Sequence, residues 1–136
     1  MARIVLDANI VISALIKNSF TRRFITKSDH EFWFPEQAFD RIEKYKELII
    51  KKSGLSSKTV ASIFESLFMR VNIVPKVRSD AKLPKAKEVM ISIDKEDALF
   101  VASALSMLDA ILWSDDKHLK KQDLVAVYTT KEILKV

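Results

Sequence analysis

Short apolar runs alternate along this chain with charged segments whose apolar residues recur at helical spacing. Residues 3 to 6 (RIVL) form the first run and stop at Asp7, the pattern of a strand buried on both faces. From Asn9 to Lys17, Ile10, Val11, Ala14 and Leu15 recur at helical spacing, and Ser19 to Lys27 predicts a second, shorter helix. Glu31 to Phe34 (EFWF) is aromatic and stops at Pro35, which suits a strand followed by a helix with proline in its first turn. Glu36 to Lys52 predicts one amphipathic helix carrying Phe39, Ile42, Leu48 and Ile49. Ser53 and Gly54 end it, Gly54 being the only glycine in the chain.

Ser56 and Ser57 open the next predicted helix, Lys58 to Met69, with Val60, Ile63, Phe64, Leu67 and Phe68 as its buried stripe. Val71 to Val74 (VNIV) reads as a strand closed by Pro75. Lys76 to Met90 is basic and contains proline, and predicts a loop with a short helix. Asp94 to Met107 predicts the clearest helix, packing through Ala98, Val101, Ala102 and Leu105. Ala110 to Trp113 and Leu124 to Tyr128 predict two further strands, and Thr130 to Leu134 a final helical turn.

Strands alternating with helices predict an α/β fold, a central mostly parallel sheet sandwiched between helices. At 136 residues it is expected to be a single domain, 1–136. Right-handed crossovers send every strand's carboxyl end to one edge, where such sheets bind ligands.

Composition narrows the chemistry. With no cysteine, disulfides, zinc-thiolate sites and thiol nucleophiles are excluded, and 49% hydrophobic residues argue for a packed core over disorder. No apolar run reaches the roughly 18 to 20 residues that span a bilayer. The apolar start is interrupted by Asp7 and Asn9 and reads as strand then helix rather than an export signal, so a cytoplasmic location away from membranes is expected. A net charge of +5 suits a polyanionic partner, and equally a solvated lysine-rich surface.

Three acids sit where runs stop or a helix begins: Asp7 in RIVLDAN, Asp97 in SIDKEDALFVASA and Asp116 in AILWSDDKHL. Like charges repel, so carboxylates gathered at one sheet edge point to a bound cation and metal-assisted chemistry. Asp7 or Asn9 alone would serve as a helix cap, but one cap does not account for both. The functional alternative makes Asp7 a metal ligand and Asn9 the neighbour that positions it. Asp94 and Asp97 share a helix face and also suit capping, but Asp94, Glu96 and Asp97 together exceed what a cap needs. Ser114, Asp115 and Asp116 would make an ordinary surface turn as well. His118 is expected to face solvent, since hard cations prefer oxygen.

Three segments in order, LDAN-x-x-x-S at Leu6 to Ser13, DALFVASA at Asp97 to Ala104 and LWSDDKHL at Leu112 to Leu119, resemble those of the PIN-domain nucleases. The resemblance covers nearly the whole chain and implies a three-layer α/β/α sandwich whose carboxylates bind Mg²⁺ or Mn²⁺ and hydrolyse RNA. It implies Asp7, Asp97 and Asp116 as the catalytic and metal-binding acids, with Ser114 in the place of the usual Thr or Ser. Many small members of this family are VapC-like toxins paired with an antitoxin protein, often as homodimers. The family's second acid, usually Glu, aligns here with Arg41, flanked by Asp40 and Glu43. Arginine at that place removes a ligand and adds a cation, for which Asp94 or Asp115 offers partial replacement.

The sequence therefore supports a metal-dependent ribonuclease first, and a non-catalytic PIN-like module binding RNA or protein second. A phosphoacceptor receiver domain fits worse, because such domains want an adjacent acid pair after the first strand and LDAN lacks it. Substrate grip is expected from Lys17, Arg22, Arg23, Lys27, Lys117 and the basic residues between Lys82 and Lys87. Trp33, Phe34 and Trp113 offer stacking surfaces, although their strand-like settings favour the core.

Overall fold

The computed structural model describes residues 1–136. Strands β1 (Arg3–Leu6), β2 (Glu31–Pro35), β3 (Val71–Val74), β4 (Ala110–Trp113) and β5 (Val127–Tyr128) form one sheet in the order β3-β2-β1-β4-β5. Every pairing is parallel, so the sheet is parallel throughout. Ile4, Val5 and Leu6 of the central β1 are all fully buried. Their unbroken apolar run follows from helices covering both faces of the sheet.

The helices are α1 (Ala8–Ile16), α2 (Phe20–Lys27), α3 (Phe39–Lys44), α4 (Lys46–Ser53), α5 (Ser57–Phe68), α6 (Lys76–Met90) and α7 (Ala98–Leu105). Helix α1 packs against α2, α3, α4 and α5, while α6 packs against α7 and α7 lies on β1, β2 and β4. These two helical groups and the sheet make the three layers. Aromatic side chains fill the space between them, with Phe34 meeting Phe39, Phe68 and Phe100 at centroid distances of 5.2, 5.8 and 6.3 Å.

Four elements differ from the sequence expectation, each for a local reason. The single helix expected over Glu36 to Lys52 is a 3₁₀ turn (Glu36–Ala38), then α3, then α4. At Tyr45 the backbone N–H reaches Ile42 O at 3.1 Å, which tightens the turn. The bend lets both halves pack against the short α1, through buried Ile42 and Ile49. The stretch expected to be irregular, Lys76 to Met90, is the longest helix, α6, with Pro84 inside it. Ser79, Ala86 and Met90 are buried and Leu83 is partly so, a spacing of four, three and four that makes one face.

The third is the helix expected over Asp94 to Met107, which opens as a 3₁₀ turn (Lys95–Asp97) and becomes α-helical only from Ala98. The last is β5, which contracts to two residues. Buried Gln122 explains the contraction: its amide donates to Leu119 O and Val125 O and accepts from the N–H groups of Leu124 and Val125. Backbone groups that a longer strand would have satisfied are satisfied by this side chain instead. One stop and one start signal lie where the sequence puts them. Gly54 takes the left-handed conformation after α4 (φ 69°), and the Ser56 hydroxyl accepts from Thr59 N at the start of α5.

Candidate metal centre

The strand order changes direction between β1 and β4, which opens a crevice at their carboxyl ends. Leu6 and Trp113 are partners in the parallel ladder, so the residues that follow them, Asp7 and Ser114, emerge side by side. Ser114 is fully buried and its hydroxyl donates to Asp7 Oδ2 at 2.6 Å. Ser114 Oγ also accepts from Asp116 N at 3.0 Å, so one hydroxyl ties two of the three expected acids together.

Asp7 stands at the start of α1, where its carboxylate lies near the Ala8 and Asn9 backbone N–H groups without forming a full capping hydrogen bond. It is 4% exposed. Burial raises its pKa, the Asp116 charge adds to this, and the Ser114 hydroxyl with the Asn9 and Ala8 backbone N–H groups offsets part of it. Asn9 itself is exposed, and no hydrogen bond joins its side chain to Asp7. Asp7 is held by Ser114, not by the amide expected to position it.

Asp97 closes the 3₁₀ turn ahead of α7, where the helix layer crosses the crevice, and is 9% exposed. Its pKa is raised to about 7, by burial first and then by the charges of Asp7, Asp94 and Asp116. Asp116 shares a hydrogen bond with Asp97 and behaves in the opposite way. Burial works to raise its pKa, but His118 and the proton of Asp97 bring it below the ordinary value.

Asp94, Asp97 and Asp116 each present an oxygen within 4.8 Å of the others. The tightest trio thus contains Asp94, expected only to support, while Asp7 lies behind it against Ser114. Asp94 also accepts from Glu96 N at 3.1 Å, so it caps the 3₁₀ turn while facing the cluster. Three hard oxygen donors at this spacing, with no sulfur and no buried imidazole, fit Mg²⁺ or Mn²⁺.

The remaining acids are elsewhere. Asp115 is exposed and binds Thr130 through its backbone N–H and hydroxyl, both at 2.7 Å, which staples the end of β4 to the segment after β5. Asp40 and Glu43 are exposed and make no hydrogen bond or ion pair with the cluster. Glu43 instead lines an apolar cleft with Leu15, Ile42, Ile49, Val60 and Phe64. Arg41 is the α3 residue that reaches the site. Its Nη1 lies 3.6 Å from Asp97 Oδ1, its Nη2 donates to Glu96 O, and its guanidinium sits 5.0 Å above the Phe100 ring.

Two features escaped the sequence reading. His118 is exposed as expected, yet its backbone N–H and Nδ1 both meet Asp116 Oδ1, at 2.9 and 3.1 Å. The D-x-H spacing of an Asp-anchored turn was the available signal. The anchoring of Arg41 needs Phe100 and Glu96 from a distant segment, and nothing local signals it.

Of the basic residues expected to grip a substrate, Arg22 donates to Ala14 O and Leu15 O at the end of α1, and Arg23 to Asn18 O. Those two brace the chain. Lys87 lines a groove of about 370 Å³ beside the cluster, together with Gln37, Arg41, Lys76 and Lys95. Phe34 and Trp113 are fully buried and Trp33 partly so, as expected of core residues.

An all-parallel sheet between two helical layers, with acids gathered over its switch point, defines the class of this protein as a three-layer α/β/α domain carrying a candidate cation site. A family profile described as PIN domain matches residues 5–135, and the chain belongs to the PIN-domain family. It is similar in structure to a chain of VapBC2 from Rickettsia felis, solved bound to a DNA fragment from their promoter. That similarity has a TM-score of 0.71 at 12% identity and covers 93% of this chain and 98% of the other. At such identity the likeness is one of fold. No curated protein sequence matches significantly.

Proposed function

We propose that this chain is a metal-dependent endoribonuclease. The observation that carries the reading is the convergence of Asp94, Asp97 and Asp116, oxygens within 4.8 Å, beside Asp7 at the sheet's switch point. Asp97 and Asp116, with Asp94, would hold Mg²⁺ or Mn²⁺, and Asp7 completes the acidic wall. A bound ion supplies Lewis acidity toward a phosphodiester and its leaving oxygen.

The protein's own groups account for the rest. Asp7, its pKa raised by burial, suits acceptance of a proton from the attacking water. Ser114 keeps that carboxylate oriented, and His118 keeps Asp116 charged. The groove lined by Arg41, Lys76, Lys87 and Lys95 supports backbone binding of RNA, since phosphate contacts position a strand without reading its sequence.

The Rickettsia felis neighbour is a VapBC2 complex, which supports a toxin role for this chain with an antitoxin partner. A homodimer and a cytoplasmic setting accompany that reading. No helix is long and apolar enough to cross a membrane.

The test is cleavage of single-stranded RNA with Mg²⁺ or Mn²⁺. Asp7→Asn, Asp97→Asn and Asp116→Asn are each expected to lower the rate by at least about a hundredfold with the fold retained. Equal cleavage by all three variants and in EDTA would refute the reading. Arg41 in the family's acid position favours a second reading, a non-catalytic module that binds RNA or protein. RNA binding without cleavage under any divalent ion would select it.

A further inference from the structure

The guanidinium of Arg41 puts a positive charge beside the acidic cluster. It lies 3.6 Å from Asp97 Oδ1, so a second ion approaching that carboxylate from the same side would meet a like charge. It is also fixed there. Nη2 is held by the Glu96 carbonyl and the flat face lies over Phe100 at 5.0 Å, so α3 and the approach to α7 both determine its position. An arginine does not lose its proton, so this charge is permanent.

Charge adds a second reason. Four carboxylates, Asp7, Asp94, Asp97 and Asp116, face one guanidinium and one imidazole-bearing turn. One divalent ion with Arg41 leaves these acids a single charge negative, whereas a second ion would leave them a single charge positive and would stand against the fixed guanidinium.

Resting on the metal-centre reading above, we infer that Arg41 is a built-in substitute for a second cation, and that the site takes one divalent ion per chain. Arg41 is a positioning residue in this scheme. It holds Asp97 through their ion pair and sets a fixed positive charge against any second metal at that carboxylate. It also lines the basic groove, so the fixed charge faces the path proposed for RNA.

Calorimetric titration of the full chain with Mn²⁺ tests this, with circular dichroism to confirm the fold of each variant. The wild type is expected to bind one ion. Arg41→Gln should bind one ion about tenfold more tightly, because a unit charge has left the neighbourhood of a dication. Arg41→Glu restores a carboxylate and should bind two, and should Arg41→Glu fail to fold, the Arg41→Gln affinity decides alone. Two ions on the wild type would overturn the inference while leaving the metal centre standing. Unchanged affinity in Arg41→Gln would overturn it as well. A wild type that binds no Mn²⁺ would overturn both this inference and the metal centre on which it rests.

Discussion

At Asp97 burial and three neighbouring carboxylates act in one direction, and the ion pair with Arg41 at 3.6 Å does not reverse them. Its pKa of about 7 in the folded protein stands above the ordinary 3.8, so the fold binds this proton more tightly than the unfolded chain does. The resulting stability is complete below pH 3.8 and is lost as pH rises through about 7. Asp7, also raised, contributes in the same sense. Thermal melts in EDTA should therefore show the protein weakening as pH climbs from acid through neutrality, and Asp97→Asn should flatten that dependence. A variant curve as steep as the wild type would count against it. At Ser114 the cost is of another kind. Ser114→Ala leaves a buried Asp7 oxygen and the Asp116 N–H without their partner, and denaturant titration should show a loss of about 1 to 3 kcal/mol.

Among the elements, α6 shows what local pattern reading misses. Its buried face of Ser79, Leu83, Ala86 and Met90 is hidden in the sequence by lysines at the intervening positions and by Pro84. Packing against α7 compensates for the hydrogen bond that proline cannot donate. Pro84 is exposed, so Pro84→Ala should stabilise the protein by about 1 to 3 kcal/mol, read as a raised melting temperature. The strands were easier to read. Runs such as RIVL and VNIV end at Asp7 and Pro75, and β1 and β3 end at the residues just before these. The break at Tyr45 was not legible, because no proline or glycine marks it and its cause is the fit of both halves to α1. The site divides along the same line. Topology brings Asp7 and Ser114 to one edge from sequence order alone, whereas the anchoring of Arg41 depends on side chains that meet only in the finished fold.

For the whole molecule, a net charge of +5 coexists with a local concentration of acid. The two lie side by side: the crevice gathers carboxylates, and Lys76, Lys87 and Lys95 line the groove next to it together with Asp80 and Glu96. Lys76 is paired with Asp80 at 2.6 Å, while Lys87 and Lys95 have no acidic partner, so these two are the cations available to a phosphate backbone. RNA affinity should fall linearly with salt on logarithmic axes. In the variant carrying Lys87→Ala and Lys95→Ala, the slope should drop by about 1.4, roughly 0.7 for each lost contact with a single strand. Fluorescence anisotropy with labelled RNA measures this, and an unchanged slope would place the binding surface elsewhere.

The pairing of Leu6 with Trp113 makes β1 and β4 a ruler for the crevice. Adding or removing one residue in either strand would turn Asp7 or Ser114 to the opposite face of the sheet and part the hydroxyl from its carboxylate. Loops and helices far from that edge are under no such restriction. Change in this protein is therefore constrained unevenly, with wide freedom in what many positions contain and almost none in how many residues those two strands hold.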